Sequence, residues 1–372
     1  MTAEPGLVVA ELNEAPHLSG DAAEDWQIIT THPAFPFTTD TESSPFIDIT
    51  SALGDMTGAF FRYTGEFNGI ALGDWPRLER TFEFYFAEDW ERFDKTMAQI
   101  LEDQWPQDPS MVARHDTVHR LLTGMIVPLD PMGSYGDAQN EIWMRAQPSQ
   151  ELVAYVRQEQ AQAEFTAIQK RLFRQIQHIV SIRHMWMPVL PYLWLKRRGR
   201  DVPDAWRLPG DDFAILRGVY QQNFELSCQA LPMLIVTQNA ADGRPATLLC
   251  VDTMPSLWRP AKLTAKTKSP RTLAEFSKVR AETKEAFLDR FPVAEVSWFE
   301  AFDRRVRNAI AHADTDEVVS GGEIMMGKHT SLSYMSFVET IPKQLQLLLL
   351  WLNLAKLFRV YAVLLADDSG DS

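Results

Sequence analysis

The chain has 372 residues, more than one hydrophobic core usually serves, so its length favours two domains. Apolar residues make up 45% and charged residues 23%, the balance of a globular protein rather than a disordered or fibrous one. Fifty acidic against 36 basic residues give a net charge of −14. This charge argues against a protein that coats nucleic acid or anionic membranes with its whole surface, but not against a local basic cleft.

Two further features bear on location. Cys228 and Cys250 match neither a metal-binding spacing nor a disulfide framework, which favours a reducing compartment. Residues 1–30 are acidic and lack the basic start and apolar run of a secretory signal. We therefore expect a cytoplasmic protein, and we expect no cofactor because the sequence contains no convincing cofactor motif.

The fold class is predicted to be mainly α, with a change of texture near Pro148. Before that residue, aromatic-rich and breaker-rich stretches predict a mixed α+β or irregular region. In it, Thr81–Trp90 is predicted as a short strand or the start of a helix, and Val112–Thr123 as a short helix before a connecting loop. The predicted units are a loosely ordered acidic leader (1–45), an N-terminal domain of unknown role (46–148), a helical domain (149–366) and a tail (367–372).

Helical periodicity dominates after residue 149 and predicts an antiparallel bundle with a small β-hairpin insertion. The hairpin is expected within Val318–Tyr334, around Gly321 and Gly322. The predicted helices are Ser149–Met187, Asp211–Leu231, Leu273–Arg290, and one that starts after Pro292 and runs to Ile310.

The most apolar segment, Leu345–Ala366, is long enough to cross a bilayer. It contains central cations, which cost roughly 2.5–3.5 kcal/mol each in a membrane. Its polar residues fall within one arc of the helix, so a core helix with one wet or partner-facing stripe is favoured over a membrane span. That stripe consists of Gln346, Asn353, Lys356 and Arg359.

The segment Phe302–Glu317 carries the chemistry, because it contains the pattern Arg307-Asn308-x-x-x-His312. The pattern resembles the signature of the HEPN superfamily of helical ribonucleases and toxins. An Arg followed by a His after four to six residues also occurs at Arg114…His119 and Arg171…His178, so the loose pattern alone is unspecific. The Asn directly after the Arg makes the match at Arg307 much more specific.

The resemblance implies a HEPN-like bundle over about residues 150–366 and a homodimer that apposes two copies of the motif. It also implies metal-independent cleavage of RNA, in which the 2′-hydroxyl attacks the neighbouring phosphate and leaves a 2′,3′-cyclic phosphate. Arg307, Asn308 and His312 are the expected catalytic residues. His312 would transfer the proton, since a histidine titrates near neutrality, and Arg307 would stabilise the phosphate.

The spacing within the motif sets a geometric condition. On one helix, Arg305, Asn308 and His312 form a single stripe, whereas Arg307 lies about 140° away from His312. Arg307 and His312 would therefore converge only near a helix end or across two chains. We expect the dimer to supply this convergence, with the Leu345–Ala366 helix in or near the interface.

An acidic ribonuclease needs a basic surface for its substrate. Arg304 and Arg305 beside the motif are candidates, as are Lys266, Lys268 and Arg271 in the basic segment Arg259–Arg280. A second basic cluster is Lys196–Arg200. For both basic segments a solvated face that balances the acidic body is an equal alternative.

Two other motifs are set aside. Gly322–Lys328 fits most of a phosphate-binding loop, but His329 stands where a Ser or Thr should bind the metal. His115 and His119 could face one metal from a helix, but a solvated helix face is the favoured interpretation because no third ligand is indicated.

Two functions stay open at this point. One is a HEPN-type endoribonuclease, as a toxin or an antiviral effector held in check by a regulatory protein or antitoxin. The other is a catalytically silent helical dimer that binds a partner.

Overall fold

The computed structural model describes residues 37–38, 45–126, 139–140, 143–144, 147–203, 206–208, 212–248, 272–279, 284, 302–311, 322–325 and 331–364. Among them the fold is mainly α, as predicted, with short strands in two antiparallel pairs.

The N-terminal part is a run of helices: α1 (Pro45–Leu53), α2 (Thr57–Gly73), α3 (Trp75–Ala87), α4 (Trp90–Leu101) and α5 (Met111–Ile126). The predicted mixed α+β or irregular region is therefore helical over residues 45–126. In α3, Trp75, Leu78, Phe82 and Tyr85 are buried at three- and four-residue steps, which is the period of a helix and not of a strand.

The central part contains α6 (Gln150–Val156), α7 (Glu159–Ser181), the short α8 (Arg183–Trp186), α9 (Leu190–Arg197) and the long α10 (Phe213–Ala241). The single predicted helix over residues 149–187 is thus broken, because Gln158 is extended and Ile182 leaves the helical conformation. Helix α10 continues through Pro232, beyond the predicted end at Leu231, and its residues on both sides of the proline are buried.

The last part contains α11 (Leu273–Ser277), α12 (Arg304–Ala311), the short α13 (Tyr334–Val338) and α14 (Thr340–Leu364). Helix α11 ends well before the predicted boundary at Arg290. Most of the helix predicted after Pro292 lies outside the described residues, apart from α12.

Both strand pairs are antiparallel. Strand β1 (Phe37–Thr38) pairs with β2 (Trp206–Arg207), which ties the N-terminal side of the chain to the segment before α10. Strands β3 (Glu323–Met325) and β4 (Ser331–Ser333) pair with Ile324 opposite Leu332. The second pair confirms the predicted hairpin, and Gly322 at its start has a φ of 79°, which favours glycine.

Helix α14 lies at the centre of the fold and packs against α5, α6, α7 and α10. Every residue from Ile341 to Tyr361 is buried. It is long and apolar enough to cross a membrane by length and composition, but 72% of the relevant window is buried inside the chain. This confirms the predicted core helix. The predicted place of this helix in or near a dimer interface stays a prediction.

Buried residues from both predicted domains, from Ile49 to Tyr361, form one hydrophobic cluster. The helices of residues 45–126 contribute to it through α3, which lies beside α7, and α5, which lies beside α14, while α2 packs against α3 and α5. The division near residue 148 stays a prediction from the sequence, whereas the described residues on its two sides share a core.

Candidate functional site: an arginine groove and an enclosed polar network

Helix α12 is held against α10 by the residues around its start. The ring of Phe302 stacks on that of Phe224, with the ring centroids 4.3 Å apart. The hydroxyl of Tyr220 donates a hydrogen bond to the backbone oxygen of Asp303 at 3.1 Å. Farther along, Ile310 is fully buried. These contacts fix which face of α12 meets α10 and which faces outward.

Arg307 lies in the middle of α12, next to Asn308. Its Nη2 is 2.7 Å from Oε1 of Glu225 on α10, and its Nη1 donates to Oδ1 of Asn308 at 3.2 Å. One third of the Arg307 side chain is exposed, and its buried Nε has no hydrogen-bond partner among the described residues. The guanidinium is thus oriented by two neighbours and still reaches the surface.

The other predicted site residues fall at or beyond the edge of the described structure. His312, Lys266, Lys268 and Arg271 lie outside the described residues. Arg304 and Arg305 belong to the first turn of α12, but the description does not extend to their side chains. The convergence of Arg307 with His312 therefore stays a prediction.

Arg307 lines an open groove of about 630 Å³ between α7 and α10, which we call the arginine groove. Three arginines and one carboxylate line it, so its charge is positive although the whole chain is acidic. Arg171 and Arg174 form no ion pair with a carboxylate of any described residue. The lining residues are Arg171, Arg174, Gln175, Gln221, Gln222, Glu225, Leu226, Gln229 and Arg307.

The arginine groove can bind an anion. Guanidinium groups present planar sets of donors that match phosphate oxygens, and glutamine amides add neutral donors. The sequence analysis missed Arg171 and Arg174. Together with Gln175 they lie at three- and four-residue spacing on one face of α7. In the sequence this face looks like an ordinary solvated helix face, and only the packing of the helices shows that it lies near Arg307.

A second polar cluster lies inside the fold, between α3, α5, α7 and α14. The hydroxyl of Tyr85 forms a hydrogen bond with Nδ1 of His115 at 2.7 Å and accepts one from Nη1 of Arg359 at 3.1 Å. The same Nη1 lies 3.2 Å from Oε1 of Gln169. We call this cluster, together with His119, the enclosed network.

The hydrogen bonds of His119 and the burial of both imidazoles indicate their protonation state. Nδ1 of His119 donates to the backbone oxygen of His115 at 2.7 Å, so its Nε2 is left to accept from Gln169 at 3.4 Å. Burial, reinforced by the charge of Arg359, lowers the pKa of His115 to about 3. Burial likewise holds the pKa of His119 well below its usual value. Both rings are therefore neutral at physiological pH.

These histidines are buried, so the predicted solvated helix face is wrong. The reason is that α14 brings polar groups to this face of α5, where the sequence predicted water. The described residues include no group of three His, Cys, Asp or Glu side chains placed to hold a metal ion.

The polar stripe of α14 faces the same internal surface and binds residues of α5 and of the end of α3. Lys356 pairs with Asp116 at 2.8 Å, and Asn353 donates to Oγ1 of Thr123 at 3.2 Å. Arg359 lies 3.8 Å from a carboxylate oxygen of Glu88 at the end of α3. Three of the four predicted stripe residues thus bind helices of the same chain. All four residues are buried, so the wet stripe that the sequence allowed is wrong.

Two residues of the basic cluster at residues 196–200 form ion pairs within the fold. Lys196 lies 2.9 Å from the buried carboxylate of Glu339, and Arg200 lies 2.5 Å from Asp55. These pairs agree with a surface that balances the acidic body. Of the other basic segment, Arg259–Arg280, the structure describes residues 272–279, where Lys278 is exposed.

Comparisons of the chain with models of protein families, with curated proteins and with solved structures found no match. The HEPN resemblance therefore depends on the motif from Arg307 to His312 and on the helical setting around it.

Proposed function

We propose that the protein is a metal-independent endoribonuclease of the HEPN type, acting as a homodimer. The observation that carries the proposal is the position of Arg307. It belongs to the Arg-Asn-x-x-x-His pattern, and its guanidinium reaches an open groove together with Arg171 and Arg174. This groove offers an RNA phosphate the positive charge that the chain as a whole lacks.

The proposed reaction is an internal transesterification. The 2′-oxygen of a ribose forms a bond to the neighbouring phosphorus while the bond from phosphorus to the 5′-oxygen of the next nucleotide breaks. His312 takes the proton of the 2′-hydroxyl or gives one to the departing oxygen. Arg307 stabilises the negative charge that gathers on the phosphate. The products are a 2′,3′-cyclic phosphate and a 5′-hydroxyl.

Asn308 has a positioning role in this proposal. Its side-chain oxygen accepts a hydrogen bond from Arg307 and thereby limits the rotation of the guanidinium. Glu225 holds the other side of the same group. A preorganised guanidinium loses less freedom when it binds the transition state than a mobile one would.

The test is an RNA digestion in the presence of EDTA, with wild type, Arg307→Ala and His312→Ala. We expect cleavage by wild type and a loss of about 100-fold or more in each variant, the usual effect of removing such groups. Arg62→Gln, an exposed arginine change on α2, is the control and should cleave like wild type. A 3′-hydroxyl at the cleaved ends, or equal cleavage by all four proteins, would contradict the proposal.

A second candidate is a silent HEPN-like scaffold that binds a protein partner. One observation favours it: Glu225 already neutralises the charge of Arg307, as expected for an arginine that joins α12 to α10. The variant Glu225→Gln separates the two. In the enzyme it leaves Arg307 more available to phosphate, and cleavage is retained. In the scaffold no variant cleaves RNA, and the change only loosens α12.

We place this activity in the cytoplasm and under the control of a regulatory protein, because an unrestrained ribonuclease harms its own cell. A toxin or antiviral effector fits that description. Expression in a bacterial host is the test: wild type should arrest growth, and His312→Ala should not.

A further inference from the structure

We propose that a second cleft binds an unpaired nucleobase of the RNA strand whose phosphates contact the arginine groove. The second cleft has a volume of about 610 Å³ and lies between α6, α7, α10 and α11. We call it the apolar cleft. This inference rests on the proposed function, since it names the form of RNA that the same site would accept.

The apolar cleft is built from matching faces of two helices. On α10, Pro232, Met233 and Val236 follow Gln229 at helical spacing and point to one side. Phe165 and Ile168 on α7 form the facing wall, and Tyr155 on α6 closes one end. Its volume lies in the range of small-molecule sites, and most of its exposed lining surface is apolar, although eight polar or charged residues, among them Glu164, also line it.

The apolar cleft and the arginine groove adjoin each other. Arg171 and Gln229 line both of them, and Nη1 of Arg171 donates to the side-chain oxygen of Gln229 across the boundary. On one side of this pair lie Arg174 and Arg307, and on the other side lie the apolar walls. Positive charge is thus placed next to an apolar space that has an aromatic ring at its end.

This arrangement fits the two faces of a single RNA strand. The phosphates carry the negative charge and the bases carry the flat apolar surfaces, and the two are adjacent only when the base is unpaired. A double helix hides its bases inside the stack, so the apolar cleft would have no ligand there. Charge complementarity at Arg171 and Arg174 therefore favours single-stranded RNA over an apolar peptide.

The test measures binding without cleavage. We use a short single-stranded RNA with 2′-O-methyl groups, which cannot undergo the proposed reaction, and the same strand with its bases removed. Wild type should bind the strand with bases about tenfold more tightly than the abasic strand, since one stacked base contributes an effect of that size. The two strands carry equal charge, so this difference reports the bases alone.

The variant Ala167→Trp fills the apolar cleft from an exposed position on α7, which spares the core. It should bind both strands with the affinity that wild type has for the abasic strand. Ala163→Trp is the matched control, because Ala163 is exposed on the same helix and does not line the cleft; it should keep the wild-type difference. Arg171→Gln and Arg174→Gln should weaken binding of both strands to a similar degree and reduce its dependence on salt.

The inference is overturned if wild type binds neither strand, if it binds both equally, or if Ala167→Trp keeps the difference between them. It is also overturned if duplex RNA binds as tightly as the single strand. None of these measurements uses cleavage. A protein that binds the bases but fails to cleave natural RNA would refute the proposed ribonuclease and leave the base-binding cleft standing.

Discussion

The enclosed network and the arginine groove contain nearly the same types of side chain, but the first is buried and stabilises the fold, whereas the second is open to solvent. Both combine arginine with glutamine, and both join helices that are distant in sequence. In the enclosed network, Arg359 is buried and surrounded by the hydroxyl of Tyr85 and the amide of Gln169. In the arginine groove, Arg171 and Arg174 are exposed at the side of α7.

Enclosure, and not residue type, separates arginines that stabilise the fold from arginines that are available to a ligand. A buried guanidinium has given up its water and depends on each protein partner, so it holds its helices together. An exposed guanidinium keeps its water until a ligand replaces it. Arg307 is intermediate, because it is paired with Glu225 and is still one third exposed.

The matched variants Arg359→Met and Arg174→Met test whether enclosure decides the contribution of an arginine to stability. The first should lower the free energy of unfolding by about 3 kcal/mol, because it leaves Tyr85 and Gln169 with unsatisfied buried groups. The second should stay within about 0.5 kcal/mol of wild type, since its side chain is exposed. Urea denaturation followed by circular dichroism measures both, and equal effects would refute the distinction.

Acid should weaken the enclosed network. The pKa of His115 in the folded protein is about 3, below its unfolded value, so the unfolded chain binds more protons between those values. The stabilisation is complete above about pH 6.5 and is lost as the pH falls towards 3. Between pH 7 and pH 5 we expect a loss of about 2 kcal/mol from this group.

Urea denaturation at pH 7 and pH 5 checks this expectation. The variant His178→Gln, a change at an exposed position of α7, should show the same loss as wild type, whereas His115→Gln should show a smaller one. Stability that stays constant or rises on acidification would mean that His115 is not held neutral by the fold.

The smallest effect is expected at the edge of the same network. Asp116 pairs with Lys356, but 46% of the Asp116 side chain is exposed. Asp116→Asn should therefore change the free energy of unfolding by about 0.5–1 kcal/mol, and the difference should shrink at high salt. A loss as large as that of Arg359→Met would show that the enclosure extends further outward than the side-chain exposure indicates.

The sequence predicted the parts of the fold that depend on local periodicity. The apolar run at residues 345–366 identified α14 as a core helix, and Gly322 marked the hairpin. The helix predicted at Val112–Thr123 is confirmed as part of α5. Around Phe82 and Tyr85 the sequence left a short strand and the start of a helix open, and the structure shows a helix, because the buried residues there follow the helical period.

Contacts between residues that are far apart in the sequence could not be predicted from local periodicity. Arg307 was identified from its own motif, but Arg171 and Arg174 precede it by more than a hundred residues, and only the packing of α7 and α12 around α10 brings them to one groove. His115 and His119 lie among charged residues on α5, and this pattern is typical of a solvent-exposed helix face. Their burial depends on Arg359, which lies on α14, the last helix that the structure describes, and packs against that side.

The central place of α14 has a consequence for synthesis on the ribosome. Translation adds this helix after every other helix that the structure describes, yet α5, α6, α7 and α10 all cover their apolar sides with it. Until residues 341–361 leave the exit tunnel, the apolar surfaces of those helices that α14 covers in the folded protein lack their native partner. The nascent chain must therefore rely on transient collapse or chaperones, and a truncation before Thr340 should yield aggregate instead of a smaller folded protein.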